Sequence, residues 1–174
     1  WLQRRLWGSG APAAVLKRLH RHYTQASYLA LIDKLYSAMP DLALSTDVIV
    51  GFPGETEADF EGTMAVVEAA RYDQAFTFIY SPREGTPAAS MDDQVPREVT
   101  QARFDRLVSA IQASALMKAQ AYVGTVQRVL VEGPSKRDPH VVAGRPGANK
   151  MVPAVCPDGV TPRSTAGSVV VPGV

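Results

Sequence analysis

The tightest constraint on this chain is the stretch DVIVGFPGETEADF, Asp47 to Phe60. A β-branched run, Val48 to Val50, ends in two glycines and a proline, which punctuate regular structure. Thr56 then stands three residues before Asp59, the spacing of a helix-opening capping box. Strand, tight turn and helix must follow one another within this one stretch. Glu55, Glu57, Asp59 and Glu61 fall where a helix dipole is positive and favours carboxylates. With those acids in place the turn suits phosphate poorly, and no GK[ST] follows to make a nucleotide-phosphate loop.

A second apolar run, AFTFIY (Ala75 to Tyr80), enters a comparable turn, YSPREGTPA (Tyr80 to Ala88). Both runs read as buried strands, the pattern of a parallel sheet covered on both faces. Helical spacing predicts four helices. One covers Ala13 to His22. One starts at Thr24 with Tyr28, Leu31, Ile32, Leu35 and Met39 on its stripe, and closes at Pro40. One starts at Thr56 with Phe60, Met64 and Val67, followed by Ala70. The last follows Pro96, carries Phe104, Leu107, Val108, Ile111 and Ala115, and ends near Ala121. Tyr28, Met39 and Phe104 are expected in the core.

Alternation of helix and strand implies right-handed βαβ units. Their turns leave the C-terminal ends of the strands on one rim, where α/β folds bind ligands. A shared ligand site with Arg83 as its cation, and two structural loops, both fit this spacing.

The character changes near Tyr122. TVQRVLVEG alternates and is valine-rich, and short extended pieces follow between GPSKRDP, GRPGANK and PDGVTP. The boundary is set near residue 121, giving an α/β part over 1–121 and an all-β part over 122–174. Tyr122 to Val174 holds six Lys/Arg against three acids. A small β-barrel with basic loops fits nucleic-acid contact, and a solvated loop surface fits the same composition.

Composition narrows the rest. The chain has 174 residues, 46% hydrophobic and 20% charged, with a formal net charge of +1. It is long enough to bury a core without disulfides or metal. No apolar run approaches the roughly 18 residues of a membrane span, and WLQRRLWGSG has no signal-peptide core, so a cytoplasmic setting is expected. Cys156 is the only cysteine. It rules out an internal disulfide and any site built from several thiolates of this chain. His20 and His22 lie on different helical faces and read as part of a basic surface with Lys17, Arg18 and Arg21. His140 is a loop residue, Ser9 makes no nucleophile elbow, and Asp92 and Asp93 precede the last helix. No catalytic or metal-binding residue is assigned.

TDVIVGFPGETEADF, then FTFIYSPREGTPAA, then VP and a long helix, resembles the radical S-adenosylmethionine tRNA methylthiotransferases, in particular the type acting on isopentenyladenosine beside the anticodon. VLKRLHRHYTQASYLALIDKL is similar to the segment before these strands, and YVGTVQRVLVEGPSK to the start of the family's RNA-contacting TRAM domain. The resemblance runs from about Val15 to Val155. It implies the distal part of a radical-SAM partial (β/α) barrel followed by an incomplete TRAM-like β-barrel.

It implies S-adenosylmethionine contacts at Ile49, Gly51, Phe52, Pro53, Gly54 and Glu55, where small residues let adenosine lie against the backbone. It places Tyr80, Ser81, Arg83, Gly85, Thr86 and Pro87 in the next wall of the same pocket. It implies tRNA as partner, with Arg128, Lys136, Arg137, Arg145 and Lys150 as RNA contacts, and a monomer. The family's 4Fe-4S clusters need thiolate ligands, and the family's CxxxCxxC run is absent here. The resemblance therefore implies a C-terminal portion of such an enzyme, as from a truncated or disrupted gene, inactive alone. A non-catalytic RNA-binding module is the alternative. A related enzyme acting on another modified adenosine or on a ribosomal protein is a further one.

Overall fold

The computed structural model describes residues 2–3, 23–136, 138, 141–148, 150–155 and 168–172. The expected helix at Ala13 to His22 lies outside them, as do Arg137, His140 and Cys156. The chain divides into two units, Leu2–Leu116 and one from Met117 onwards.

In the first unit three parallel strands form one sheet in the order β1 (Leu2–Gln3), β2 (Leu44–Val50), β3 (Gln74–Ile79). Three helices accompany them: α1 (Gln25–Ala38), α2 (Glu57–Ala70) and α3 (Arg97–Gln120). A short 3-10 helix, Pro87–Ser90, lies between β3 and α3. Thr24 and Thr56 open α1 and α2 with reciprocal capping boxes, so orphan amides of each first turn find side-chain acceptors. Arg71 ends α2 in the left-handed region, φ 48°.

Leu44, Val48 and Val50 of β2 pack with Tyr28 and Ile32 of α1, Phe60, Val66, Val67 and Ala70 of α2, and Leu107 and Ile111 of α3. Burying a side chain of this size contributes about 1.5–3 kcal/mol, so this cluster holds the unit together. Tyr72 joins it, and its hydroxyl lies 2.7 Å from that of Tyr28.

Two core expectations are corrected. Met39 is exposed, at 43%, because α1 ends at Ala38 and Met39 is its C-cap. β3 is not covered on both faces: Ala75 packs on the core, but Phe76 and Phe78 on the alternate face are 45% and 49% exposed. The side-chain period of two turns them away from the helices. Among the described residues β3 is also the edge of the sheet, paired on one side by β2.

The second unit is an antiparallel sheet in the order β6-β5-β4-β7, with β4 Val126–Pro134, β5 Val141–Arg145, β6 Val152–Val155 and β7 Ser168–Pro172. Val131, Val142 and Ala154 form its core. The β4–β5 register shifts between Val131 and Gly133, a bulge that bends the strand. Among the described residues neither sheet closes on itself.

Candidate functional site

The first turn follows directly from β2. Gly51 and Gly54 have φ of 76° and 77°, a region that suits glycine. Gly51 has a second reason to be glycine: an added Cβ would lie 2.4 Å from Cγ2 of Thr100 on α3. On the side where a Cβ would stand, the small residue makes room for a helix of the same chain. Phe52, Pro53 and Glu55 are buried, while Ile49 and Gly54 are half-buried. The Gly54 amide donates to the Asp93 carbonyl at 2.7 Å, tying the turn to the loop before α3.

Glu55 folds back on its own turn. Both carboxylate oxygens stand 3.2 Å from the Gly51 amide. Nη1 of Arg103 donates to Oε1 of Glu55 at 2.9 Å and to its carbonyl at 3.0 Å. Both side chains are only 6% exposed. Burial raises the Glu55 pKa, against the opposing pull of the Gly51 amide and Arg103.

Arg103 Nε also donates to Glu57 at 3.0 Å, and Arg106 bonds Glu57 at 2.7 Å and pairs with Glu61. Hydrogen bonds from Arg103, then Arg106, hold the Glu57 pKa below its usual value. The Arg103 and Arg106 guanidinium groups stand over the Phe60 ring, 5.8 and 4.9 Å from its centroid. Three of the acids that the sequence places at the helix start thus also pair with two arginines of α3, Glu55 and Glu57 with Arg103, and Glu57 and Glu61 with Arg106. Glu57 and Asp59 both lie in the first turn of α2, as expected, and Asp59 also closes the capping box.

The second turn leaves β3 on the same edge as the first leaves β2, because the strands are parallel and in register from Ser45↔Gln74 to Val50↔Ile79. The Tyr80 amide donates to the Val50 carbonyl at 2.8 Å. The Phe52 and Tyr80 rings meet edge to face at 5.3 Å, with Ala88 packed against Phe52. The two turns therefore touch. The Tyr80 hydroxyl is buried with no hydrogen-bond partner among the described residues. Ser81, Arg83, Gly85, Thr86 and Pro87 are all exposed. Thr86 closes the loop by donating its hydroxyl to the Arg83 carbonyl at 2.7 Å. A shallow open cavity lies here, lined by Glu84, Gly85, Thr86, Pro87, Ala89 and Ser90, with no residue of the first turn in its wall.

In the β unit, Arg128 and Lys136 are exposed. Arg145 is engaged, its Nε 2.7 Å from Oε1 of Glu132. Lys150 is half-buried, and Arg137 lies outside the described residues. Among the described residues no three His, Cys, Asp or Glu side chains gather to hold a metal, and no helix is long and apolar enough to cross a membrane.

Sequence reasoning missed Arg103, Arg106 and Thr100, which shape the first turn from about half a hundred residues away. It also missed the open face of Phe76 and Phe78, for which the near-continuous apolar run of β3 carries no signal.

Parallel strands, helices packed on them and two touching turns at the strand C-termini define an α/β protein. No family model matches the chain. It is 49% identical over 138 residues to the tRNA-2-methylthio-N(6)-dimethylallyladenosine synthase of Clostridium botulinum, covering 79% of this chain and 31% of that protein. The synthase of the same name from Caldicellulosiruptor saccharolyticus is 49% identical over 144 residues, 83% of this chain and 30% of the relative. That of Burkholderia thailandensis is 51% identical over 138 residues, 79% and 30%. The chain is homologous to the C-terminal part of these tRNA methylthiotransferases. It spans about 30% of the length of the curated relatives it matches.

Proposed function

We propose that this chain forms the distal part of a radical-SAM partial barrel and the first strands of a TRAM-like RNA-binding domain in a tRNA methylthiotransferase. The reaction is addition of a methylthio group to isopentenyladenosine beside the anticodon. The enzyme acts as a cytoplasmic monomer. The activity for which the relatives are named supports the substrate class. The observation that carries the reading is the contact of Phe52 with Tyr80, which joins the two turns at one strand edge.

The residues present fit part of an S-adenosylmethionine site. Ile49 on β2 and Phe78 on β3 are paired in register, beside the exposed Phe76, and offer an apolar floor for an adenine ring. The buried Tyr80 hydroxyl, without a hydrogen-bond partner among the described residues, is a polar atom left for a ligand. The half-buried Gly54 brings main chain to the same rim. Bound S-adenosylmethionine supplies the radical and methyl chemistry. The chain's own residues seat the nucleoside and exclude water from its base.

They do not fit a 4Fe-4S cluster. Such a cluster takes several thiolates, and the sequence holds one cysteine. No step through a cluster is assigned to this chain. In the β unit, Arg128 and Lys136 are exposed cations suited to tRNA phosphates, with Arg137, Arg145 and Lys150 completing the proposed contact.

The test is a chimera in which this chain replaces the matching part of the Clostridium botulinum relative. Mass spectrometry of tRNA nucleosides should show the methylthio-isopentenyladenosine product. A soluble, cluster-loaded chimera that binds tRNA but makes no product would overturn the reading.

A further inference from the structure

The geometry points to Arg103 as the positioning residue of the first turn: from α3 it holds the Glu55 carboxylate under the Gly51 amide and so fixes the main chain that meets the ligand. This inference rests on the reading that the turn walls an adenosyl site. Four observations carry it.

First, Arg103 bonds the turn at two points through one nitrogen, the Glu55 side chain at 2.9 Å and the Glu55 carbonyl at 3.0 Å. Second, the same carboxylate is the acceptor of the Gly51 amide, 3.2 Å from each oxygen. Gly51 sits in the left-handed region at φ 76°, which glycine reaches without strain but does not hold by itself, so the bond to Glu55 helps fix this conformation. Third, both charged groups are buried, so removing Arg103 leaves the Glu55 carboxylate without its ion pair in a poor solvent for charge. Fourth, Thr100, one turn earlier on α3, fills the space beside Gly51. Helix α3 therefore grips the turn at Thr100 and Arg103 together.

Arg103 touches no proposed ligand position itself. It acts through Glu55. Arginine suits the task because its planar fork serves the Glu55 carboxylate, the Glu55 carbonyl and Glu57 at once, which a lysine ammonium does with less geometric definition.

The experiment uses the full chain, isotopically labelled, as wild type, Arg103→Ala and Arg103→Lys. Amide hydrogen exchange of Gly51 is read against that of Val48 in the core strand. Loss of the latch raises the Gly51-to-Val48 rate ratio by at least about tenfold in Arg103→Ala, with Arg103→Lys in between. An unchanged ratio, including equal acceleration of both amides by general destabilisation, overturns the proposal.

Adenosine is then titrated while the Gly54 and Tyr80 amide signals are followed. Shifts in wild type that weaken in Arg103→Ala support positioning, and equal shifts in both overturn it. If adenosine moves no signal in wild type, the adenosyl reading of the turn falls, and the exchange ratio still decides whether Arg103 is its latch. Should Arg103→Ala fail to fold, Arg103→Lys is judged by the same two criteria.

Discussion

Gly51 and Thr100 occupy one another's space: a Cβ on the glycine would come within 2.4 Å of the threonine's Cγ2 and 2.7 Å of its Oγ1. Thr100 is buried, and its hydroxyl donates to the Pro96 carbonyl at 3.1 Å, so it has little room to rotate away. Gly51→Ala should therefore lose about 2–4 kcal/mol, combining left-handed strain with overpacking. Urea unfolding of Gly51→Ala and of Gly51→Ala/Thr100→Ala separates the two causes. The double variant should recover the packing part and keep the backbone part. If it recovers nothing, Thr100 is not what the glycine accommodates.

The Thr56 hydroxyl accepts from the Asp59 amide at 3.1 Å, while Oδ2 of Asp59 accepts from the Thr56 amide at 2.9 Å. Thr56→Ala removes half of that exchange, and the cost should be about 1 kcal/mol. Thr24→Ala should cost a similar amount at α1, where Ser27 plays the part of Asp59. A shift of the unfolding midpoint with unchanged denaturant slope is the expected signature. A loss several times larger would mean that the cap also supports the turn before it.

Tyr80 carries a hydroxyl buried with no partner among the described residues, beside a ring contact that the phenyl group alone can make. Tyr80→Phe should therefore leave stability unchanged or raise it by about 1 kcal/mol, since an unsatisfied buried polar group is removed. The same variant should weaken adenosine binding if the hydroxyl serves a ligand. Destabilisation beyond about 1 kcal/mol would show that the hydroxyl already has a structural role.

What could be read from the sequence was local or periodic. The capping box spans four residues, β2 ends in the β-branched run Val48 to Val50, and the stripe of α3 repeats at helical spacing, so each was legible. The parallel direction followed from strand–helix–strand order, while the register did not. What escaped was non-local. Arg103 meets Glu55 48 positions away, and in sequence it is one more cation on a charged helix. The acids at the start of α2 read as dipole partners, and their second role as partners of Arg103 and Arg106 was out of view. The aromatic run of β3 looked buried because apolar composition does not say which face a neighbour covers. β1, two residues long, is too short to carry any pattern.

Glu55 and Glu57 pull the pH dependence of stability in opposite directions. Burial raises the Glu55 pKa above 4.5, so the folded chain holds that proton more tightly than the unfolded chain does. Its contribution is full below the unfolded value and is lost as pH rises through the folded one. Arg103 and Arg106 lower the Glu57 pKa, so its contribution is present above 4.5 and lost as pH falls through its folded value. Glu55→Gln should therefore gain on wild type as pH rises from about 4.5 toward neutrality. Urea midpoints of both proteins across that window check the sign. A wild type that gains on Glu55→Gln over the same window would mean that Arg103 outweighs burial.

Arg128 and Lys136 should carry most of any tRNA phosphate contact made by the described part of the β unit, because both are exposed, whereas Arg145 is paired with Glu132 at 2.7 Å. A cation already held by a carboxylate gives up that bond to reach a phosphate, so its net gain is smaller. Removing one cation from a phosphate should lower the slope of log affinity against log salt by about 1. Filter binding of tRNA at several salt concentrations should show this drop for Arg128→Ala and Lys136→Ala, and a smaller change for Arg145→Ala. Glu132→Ala, which frees Arg145, should strengthen binding slightly and steepen the slope. Equal slopes across all four variants would remove this face of the β unit from RNA binding.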